Sequence, residues 1–424
     1  MVRMLIPEAL ARLAEREPDA VAVRCGDAVI TRAELGRLAS EAAAGIAPGT
    51  VAPVSRANSI DFVVETLAAW TAGATPLPLS PRLPAEERDA ILALAAQPGA
   101  AQGSWRLATS SGSTGRPKLI RAAGDQSIDP DEAIAPFVPR AAVQLVAGPL
   151  FHAAPFTYAM RGLMTGHELV LMERFDAATW LRLIETHEVT WGMLVPTMMR
   201  RIAALCEAED AWPALPSLRA ILHLGARCPA DLKRRWIDWL GPGRVHELYA
   251  GTESAGLAFI DGREWLAHPG SVGRPVGDSE FRIVDGEIWM RRSRPTYAYL
   301  GAPARERDGW HSLGDAGWID DEGYLYVADR LDDVINCGGV KIHPADVEGV
   351  LDAHPRVRSS VAVGRPHPDL GEVVHAVVDG DATLAELRAW VEPRLDPEKW
   401  PRSWQLVDVE LRGDTGKVRR SAWR

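Results

Sequence analysis

Short apolar runs alternate with longer helical patterns between residues 143 and 248, and this alternation constrains the fold more than any other feature of the chain. The apolar runs predict strands at 143–147, 168–172, 189–195, 218–222 and 244–248. Helices are predicted between them, over 155–164, from Asp176 to 187, from Pro196 to 205 and from Pro229 onward. Strands that alternate with helices of this length indicate parallel strands covered by helices, so the sequence predicts an α/β fold.

The segments on either side of this region are patterned differently. Before it, the sequence predicts helices over 7–17, 32–44 and 60–72, a hairpin over 21–30, and a strand at 75–79 whose prolines place it near a sheet edge. After it, residues 271–292 are strand-rich with glycine turns, and a compact segment with strand and helix character follows Asp329. A chain of 424 residues is expected to form two or three domains.

Residues 109–118 read Thr-Ser-Ser-Gly-Ser-Thr-Gly-Arg-Pro-Lys and concentrate five hydroxyls, two glycines and a lysine in one stretch. Glycine lets the backbone approach a ligand closely, and the hydroxyls and backbone N–H groups supply donors beside the cation of Lys118. These groups together predict a loop that cradles a triphosphate. The spacing differs from that of the Walker loop. A polar surface loop is the simpler alternative.

Lysine is rare in this chain, with five lysines among 47 basic residues. A lysine that remains where arginine is used almost everywhere indicates a need for a compact ammonium group. Three of the five, Lys118, Lys341 and Lys417, lie in segments with other functional signals. For Lys233 and Lys399, retention by chance explains the residue equally well.

Four further motifs follow the glycine-rich loop: Tyr249-Ala250-Gly251-Thr252-Glu253, Trp310-His311-Ser312-Leu313-Gly314-Asp315, Asp329-Arg330 and Gly416-Lys417. In order and spacing the motifs resemble the adenylate-forming superfamily of acyl-CoA synthetases, peptide-synthetase adenylation domains and luciferases. The resemblance covers nearly the whole chain, although the stretch before the glycine-rich loop is shorter than in most relatives. It implies a large N-terminal domain over 1–329, built from layered α/β subdomains and a β-rich subdomain. A small, mobile α+β domain over 330–424 would follow, with a hinge at Asp332.

The resemblance also implies a reaction. A carboxylic acid attacks ATP to give an acyl-adenylate and pyrophosphate, and the acyl group then passes to a thiol. The implied cofactors are ATP, Mg²⁺ and coenzyme A. The site must orient an in-line attack and neutralise charge on the α-phosphate.

Several residues take nucleotide-binding roles through their position in the family's motifs. The β- and γ-phosphates would be held by Ser110, Ser111, Gly112, Ser113, Thr114, Gly115 and Lys118. Beside Ala250 and Gly251, Thr252 would contact phosphate and Glu253 would coordinate Mg²⁺, where a solvated loop carboxylate is the alternative. Asp315 would accept hydrogen bonds from both ribose hydroxyls, supported by Arg330.

Adenine would pack on Gly225 and Ala226 and stack on Tyr249, although a plain strand-end turn and a core aromatic are the simpler explanations. Lys417 would bridge the carboxylate and the α-phosphate as a catalytic point charge. His152 would gate the carboxylate site.

The resemblance also implies an acyl pocket and a coenzyme A site. A pocket for a large apolar acid would be lined by Tyr158, Trp191, Met193, Met198 and Met199. A position in the core is at least as good an explanation for most of these residues. Coenzyme A would pass beside Gly338 and Gly339 and meet Lys341, where a plain β-turn is the alternative.

Composition narrows the class of partner. The net charge of −10 argues against nucleic acid or an anionic membrane as the main partner. Four cysteines without a Cys-x-x-Cys pair indicate neither a zinc site nor a disulfide framework, and they favour the cytoplasm. The sequence predicts no signal peptide and no membrane span. Whether the chain forms a homodimer is left open.

The chain looks most like bacterial fatty-acyl and bile-acid CoA ligases in three segments: Pro81-Arg82-Leu83-Pro84, Phe151-His152-Ala153-Ala154-Pro155 and Trp310-His311-Ser312-Leu313-Gly314-Asp315. That resemblance implies a bulky hydrophobic acid. The chain lacks a fused carrier-protein domain, which favours free coenzyme A as the acceptor. Two alternatives remain: an enzyme that loads a separate carrier protein, and a non-catalytic protein that binds acyl-nucleotides. No charged residue suited to an amino acid's α-amine stands out, which disfavours amino-acid adenylation.

Overall fold

The computed structural model describes residues 3–110, 118–301, 303–412, 418 and 420–424, without the side chains of Ser110 and Ser421. Its α-helices are α1 (Ile6–Arg16), α2 (Arg32–Ala43), α3 (Ile60–Thr71), α4 (Ala85–Ala95), α5 (Ala153–Met164), α6 (Ala177–Thr186), α7 (Pro196–Ala208), α8 (Ala230–Leu240), α9 (Gly262–Ala267), α10 (Pro344–Asp352) and α11 (Leu384–Val391). The Ser111–Gly115 part of the predicted phosphate loop and the predicted catalytic Lys417 lie outside the described residues.

The strands of the first half are β1 (Met4–Leu5), β2 (Val21–Cys25), β3 (Ala28–Thr31), β4 (Val51–Ser55), β5 (Thr75–Leu79), β6 (Ser104–Ser110), β7 (Lys118–Ala123), β8 (Ser127–Ile128), β9 (Val143–Val146), β10 (Glu168–Leu171), β11 (Trp191–Leu194), β12 (Ala220–His223) and β13 (Val245–Ala250). Those of the second half are β14 (Leu257–Asp261), β15 (Arg274–Pro275), β16 (Glu280–Val284), β17 (Glu287–Arg291), β18 (Tyr297–Leu300), β19 (Glu306–Arg307), β20 (Trp310–Ile319), β21 (Leu325–Arg330), β22 (Ile335–Cys337), β23 (Val340–Ile342), β24 (Val357–His367), β25 (Gly371–Gly380) and β26 (Ser403–Val407).

A nine-stranded sheet with the order β15-β14-β13-β12-β11-β9-β10-β2-β3 forms the centre of the fold. The neighbours from β13 to β2 are parallel, whereas β14, β15 and β3 pair antiparallel at the two sides. Helices α5 to α8 follow the strands β9 to β12 in turn along the chain. The predicted α/β fold is therefore confirmed.

The helices begin where the sequence supplies caps. Thr31 accepts the backbone N–H of Glu34, whose carboxylate accepts the N–H of Thr31, so the capping box opens α2. Asp176 caps α6 through Thr179 N at 2.8 Å, and α7 begins with Pro196. The strand predicted at 189–195 is shorter, because Val189 N still bonds to Ile184 O at the end of α6.

Two apolar cores flank the central sheet. One packs α6, α7 and α8 against it and includes Trp180 and Trp236. The other packs α1, α2, α3 and α5 against the opposite side and includes Phe62 and Phe156. Because both faces of the parallel strands are covered, nearly continuous apolar runs are the expected pattern for them.

Smaller sheets surround this centre. Strands β18-β7-β6 form a three-stranded sheet that carries both ends of the glycine-rich loop. Within the described parts of the chain β5 pairs with β4 alone, which agrees with the position near a sheet edge that its prolines predicted. The β-rich part predicted after residue 271 is the sheet β16-β17-β20-β19, with β21 paired to β20. The last sheet, β23-β22-β25-β24 with β26, has its own core with α10 and α11. In the described chain, no helix has both the length and the apolarity needed to cross a membrane.

Candidate active site

A cleft of about 3130 Å³ opens beyond the C-terminal ends of β11, β12 and β13 and reaches the last sheet. In parallel α/β sheets this end of the strands is where ligands usually bind. The described part of the predicted nucleotide site meets here, since the lining includes Thr109, Lys118, Gly225, Ala226, Tyr249, Ala250, Gly251, Thr252, Glu253, Asp315 and Arg330. Motifs distant in sequence therefore share one cavity.

The carboxylate of Glu253 is held in place within this cleft. It is 8% exposed, and Tyr299 on β18 donates its hydroxyl to Oε1 at 2.5 Å. Thr296 fixes the backbone by donating to the carbonyl of Glu253 at 2.9 Å. Burial and the neighbouring carboxylate raise the pKa of Tyr299, so its hydroxyl stays protonated as a donor.

The residues near Glu253 could bind Mg²⁺ only together with ligands from the substrate and water. Across the described residues, no three His, Cys, Asp or Glu side chains group closely enough to hold a metal ion. Magnesium in nucleotide sites is commonly bound by one or two carboxylates together with substrate phosphates and water. A single fixed carboxylate that lines the cleft therefore fits Mg²⁺ brought by ATP.

Asp315 forms the centre of a second polar cluster. Its Oδ2 accepts the hydroxyl of Tyr249 at 2.6 Å, and its Oδ1 lies 3.2 Å from Nε of Arg330. The positions are set by the sheet, because Asp315 on β20 is paired in register with Arg330 on β21. Burial and the Asp315 carboxylate raise the pKa of Tyr249 well above its usual value. A carboxylate whose two oxygens are positioned by Tyr249 and Arg330 is suited to accept hydrogen bonds from the two hydroxyls of a diol.

The glycine-rich loop connects two paired strands. Ser110 at the end of β6 is in register with Lys118 at the start of β7, and Lys118 lines the cleft. The ammonium of Lys118 lies 5.6 Å from the ring centroid of Tyr299, the same residue that holds Glu253. The predicted cation and the predicted metal ligand thus share one aromatic neighbour.

The predicted adenine turn follows β12. Gly225 has φ 90°, a conformation that favours glycine. Beneath the turn, fully buried Lys233 of α8 donates to Oε2 of Glu247 on β13 at 2.5 Å. Nε2 of His223 lies 3.9 Å from the same oxygen. A buried ion pair therefore ties α8 to the strand that carries Tyr249 and leads to Glu253.

The predicted acyl-pocket residues fall into two groups. Tyr158, Met193 and Met198 line the cleft, as does His152, which precedes α5. Tyr158 and Met193 also line a small inner cavity. Trp191 and Met199 lie outside this lining and are fully buried. Trp191 packs edge-on against Tyr158, with ring centroids 5.9 Å apart, so its contact with the pocket is indirect.

The last sheet carries the residues predicted for the second half-reaction. Asp332 lines the cleft, within a short 3₁₀ turn at Leu331–Asp333. Gly338 and Gly339, at φ 58° and 88°, form the two-residue turn between β22 and β23. Lys341 on β23 is exposed, and neither it nor the two glycines line the cleft in this conformation.

Three residues important to this geometry have no signal in the sequence motifs: Tyr299, Arg106 and Glu247. Tyr299 holds Glu253, Arg106 is a buried arginine that lines the cleft, and Glu247 partners Lys233. The scarcity of lysine was a usable signal for Lys233, whose buried ion pair favours a specific role over chance retention.

Asp315→Asn is expected to raise the KM for ATP about ten- to hundredfold, because the ribose hydroxyls lose a charged acceptor. Pyrophosphate exchange at varied ATP concentration measures this constant. Asp320→Asn is the matched control, since Asp320 accepts backbone N–H groups in the turn between β20 and β21 and does not line the cleft. An unchanged KM for ATP in Asp315→Asn would contradict the ribose role.

Comparison with known proteins places this geometry in a family. The model of the AMP-binding enzyme family matches residues 10–97 and 107–293, and that of the AMP-binding enzyme C-terminal domain matches residues 346–417. The o-succinylbenzoate CoA synthetase of Bacillus subtilis, solved with its acyl-adenylate intermediate, superposes with a TM-score of 0.84 at 24% identity, covering 100% of this chain and 99% of that one. That likeness shows the fold.

Relatives in sequence extend along nearly the whole chain. Feruloyl-CoA synthase from an Amycolatopsis species is 32% identical, covering 96% of both chains. The 3-[(3aS,4S,7aS)-7a-methyl-1,5-dioxo-octahydro-1H-inden-4-yl]propanoyl:CoA ligase of Mycobacterium tuberculosis is 29% identical, covering 97% of both. These relatives confirm the predicted AMP-forming acid:CoA ligase activity with ATP, Mg²⁺ and coenzyme A, and they favour neither alternative. The chain therefore belongs to the AMP-binding enzyme family, within the adenylate-forming superfamily that its motifs resemble.

Proposed function

We propose that this ligase activates a bulky, mainly apolar carboxylic acid with ATP and transfers the acyl group to coenzyme A. The carboxylate attacks the α-phosphate of ATP, which forms the acyl-adenylate and expels pyrophosphate. The thiol of coenzyme A then attacks the acyl carbon and expels AMP. One observation carries the proposal: the polar clusters around Glu253 and Asp315 line the same cleft as the apolar side chains of Tyr158, Met193 and Met198. Nucleotide and acid can therefore meet in a single cavity.

The first half-reaction is assigned to the polar side of the cleft. Asp315 and Arg330 bind the ribose, Gly225, Ala226 and Tyr249 receive the adenine, and Thr252 contacts phosphate. Glu253 holds Mg²⁺, which supplies charge neutralisation at the phosphates when it is bound. Residues 110–118 hold the β- and γ-phosphates, and Lys417 supplies a positive charge where negative charge develops on the α-phosphate. The ion pair of Lys118 with these phosphates is lost when pyrophosphate leaves.

The acid is assigned to the apolar side. Burial raises the pKa of Tyr158 to about 12, so the side chain presents a neutral ring and hydroxyl to the acid. Methionine side chains adapt to irregular shapes, which suits a bulky acid of several rings or branches. The relatives' names support this class, because feruloyl-CoA synthase and the indane-propanoyl ligase are both named for acids that contain rings.

The second half-reaction requires the last sheet to present another face to the cleft. We place the domain boundary at residue 330 and the pivot at Asp332, which lies between β21 and β22. In the present conformation Arg200 on α7 donates to the backbone carbonyl of Asp352 on α10 at 2.8 Å and reaches its carboxylate at 3.1 Å. Rotation breaks these contacts and brings Gly338, Gly339 and Lys341 toward the thiol and phosphates of coenzyme A.

The deciding experiment is thioester formation from coenzyme A and Mg-ATP, followed by mass spectrometry across fatty, steroidal, terpenoid and aryl acids. We expect thioester from at least one bulky acid and none from acetate. Acyl-adenylate without thioester would move the acceptor to a carrier-protein thiol. A strong preference for acetate or another small acid would contradict the proposed substrate class.

A further inference from the structure

Arg106 is a charged side chain buried beside the cleft that the nucleotide site does not use. It lies on β6, is 4% exposed, and contributes to the lining of the cleft. Its Nε and Nη1 atoms are buried and have no hydrogen-bond partner among the described residues. Buried arginines are normally paired, because an unpaired buried donor loses its hydrogen bonds to water without replacement.

The sheet register places Arg106 on the same face as the residues that hold Glu253. On β6, Arg106 is opposite Ala122 of β7, which is in turn opposite Tyr297 of β18. The next row on that face is formed by Ala108 of β6, Ile120 of β7 and Tyr299 of β18. Successive residues of a strand alternate between faces, so Arg106, Tyr297 and Tyr299 project toward the same side of the sheet.

Among the described residues, no carboxylate forms an ion pair with this guanidinium. Glu253 attracts it through space, but the Glu253 carboxylate accepts from Tyr299 and forms no ion pair with Arg106 in the described structure. The nearest aromatic partner is Trp105, whose ring centroid lies 5.1 Å from Cζ of Arg106. Burial lowers the pKa of Arg106 to about 10, which leaves the side chain charged at neutral pH.

The position of Arg106 separates it from the phosphate loop. Ser110 lies four residues further along β6, a distance of about 13 Å in an extended strand. Trp105, which contacts the guanidinium, packs on Phe156 of α5 with ring centroids 5.9 Å apart. Helix α5 also carries Tyr158, which lines the inner cavity. The guanidinium is therefore held against Trp105 near the start of β6, within the lining of the cleft that Tyr158 also lines.

We propose that Arg106 is a specificity-determining residue that binds a second carboxylate on the acid substrate. The inference rests on the proposed function, since it names a feature of the acid activated in the same cleft. A guanidinium binds a carboxylate through two parallel hydrogen bonds when Nη2 donates together with either Nε or Nη1, and in Arg106 both of these last two atoms lack a partner among the described residues. The substrate is then a bulky acid that is apolar along most of its surface and carries an acidic group at one further position.

The test compares matched acids with one and two carboxylates. The probes are 3-phenylpropanoic acid and its three ring-carboxylated isomers. Their binding to the full-length protein is measured by calorimetry, and their adenylation by pyrophosphate release. For the wild type we expect at least one diacid to be favoured over the monoacid. Arg106→Met should lower kcat/KM and affinity for that diacid about ten- to hundredfold, with little change for the monoacid.

Two further variants separate charge from structure. Arg106→Lys keeps the charge but loses the two-pronged geometry, so it should recover only part of the preference. Arg121→Met is the matched control on β7, since Arg121 donates to the carbonyl of Gly99 and does not line the cleft. It should keep the wild-type ratio between diacid and monoacid. If Arg106→Met fails to fold, the Arg106→Lys ratio alone decides.

The outcomes distinguish this inference from the proposed function. Diacid binding that depends on Arg106, without adenylation of any acid here or in the wider panel of fatty, steroidal, terpenoid and aryl acids, would keep the binding site for a second carboxylate and overturn the proposed function. Adenylation with the same diacid preference in Arg106→Met and the wild type would overturn the inference alone. Equal losses for monoacid and diacid, with a raised KM for pyrophosphate in the exchange reaction, would assign Arg106 to pyrophosphate and also overturn it. If the wild type shows no preference for any diacid over the monoacid, the inference is also overturned.

Discussion

Lys417→Ala is expected to slow acyl-adenylate formation about a hundredfold or more and to leave thioester formation from supplied acyl-adenylate nearly unchanged. The reason is that the predicted role of this ammonium group is confined to the first transition state, where charge develops on the α-phosphate. Single-turnover assays of each half-reaction measure the two rates separately.

Lys341→Ala provides the opposite comparison. Lys341 is exposed on β23 and is proposed to meet a phosphate of coenzyme A. Its loss should raise the KM for coenzyme A several-fold and leave adenylation unchanged, as expected when one exposed phosphate contact is removed. If Lys417→Ala slowed both half-reactions equally, the assignment of Lys417 to the first step would fail.

Lys233→Met is expected to destabilise the protein by about 3–5 kcal/mol, because it leaves the carboxylate of Glu247 buried without its partner. Both side chains are buried, and their atoms lie 2.5 Å apart beneath the adenine turn. Burial already raises the pKa of Glu247, so the carboxylate depends on the nearby ammonium to remain charged. Urea unfolding measures the loss as a shift of the midpoint.

Two comparisons isolate the buried pair. The double variant Lys233→Met with Glu247→Gln removes both charges, so it should recover most of the lost stability. Lys399→Met breaks a half-buried pair with Asp346 at 2.9 Å and should cost at most about 1 kcal/mol. A loss in Lys233→Met no larger than that in Lys399→Met would show that the buried pair does not stabilise the fold.

Sequence patterns predicted the fold because they report local physics. Alternating apolar runs and capped helices gave the α/β architecture, with boundaries that shift by one or two residues at β11 and β12. The capping box at Thr31 and the prolines of β5 act within a few residues, so they can be read from a short window of sequence. The family motifs selected residues that are distant in sequence and that the fold brings into one cleft, and their assignment to the nucleotide stays a prediction.

Contacts between distant segments could not be predicted in this way. Tyr299 reaches Glu253 only because β18 pairs with β7, and Glu247 meets Lys233 only because α8 packs beside β13. The acyl pocket is a second example, because the sequence did not show which residues of one strand reach the cavity. Trp191 and Met193 occupy one strand two residues apart, yet only Met193 lines the cleft. Which side chain reaches a cavity depends on the helices packed over the strand.

Residues 331–334 are the whole connection between β21 and β22. Fully stretched, a tether of this length reaches only about 14 Å. The last sheet is therefore held over the cleft at an effective concentration in the millimolar range or above, whichever face it presents. The face proposed for adenylation and the face proposed for thioester formation therefore compete for the same cleft within one molecule. Lengthening the tether dilutes all of them equally, so it slows both half-reactions together and leaves the balance between them unchanged.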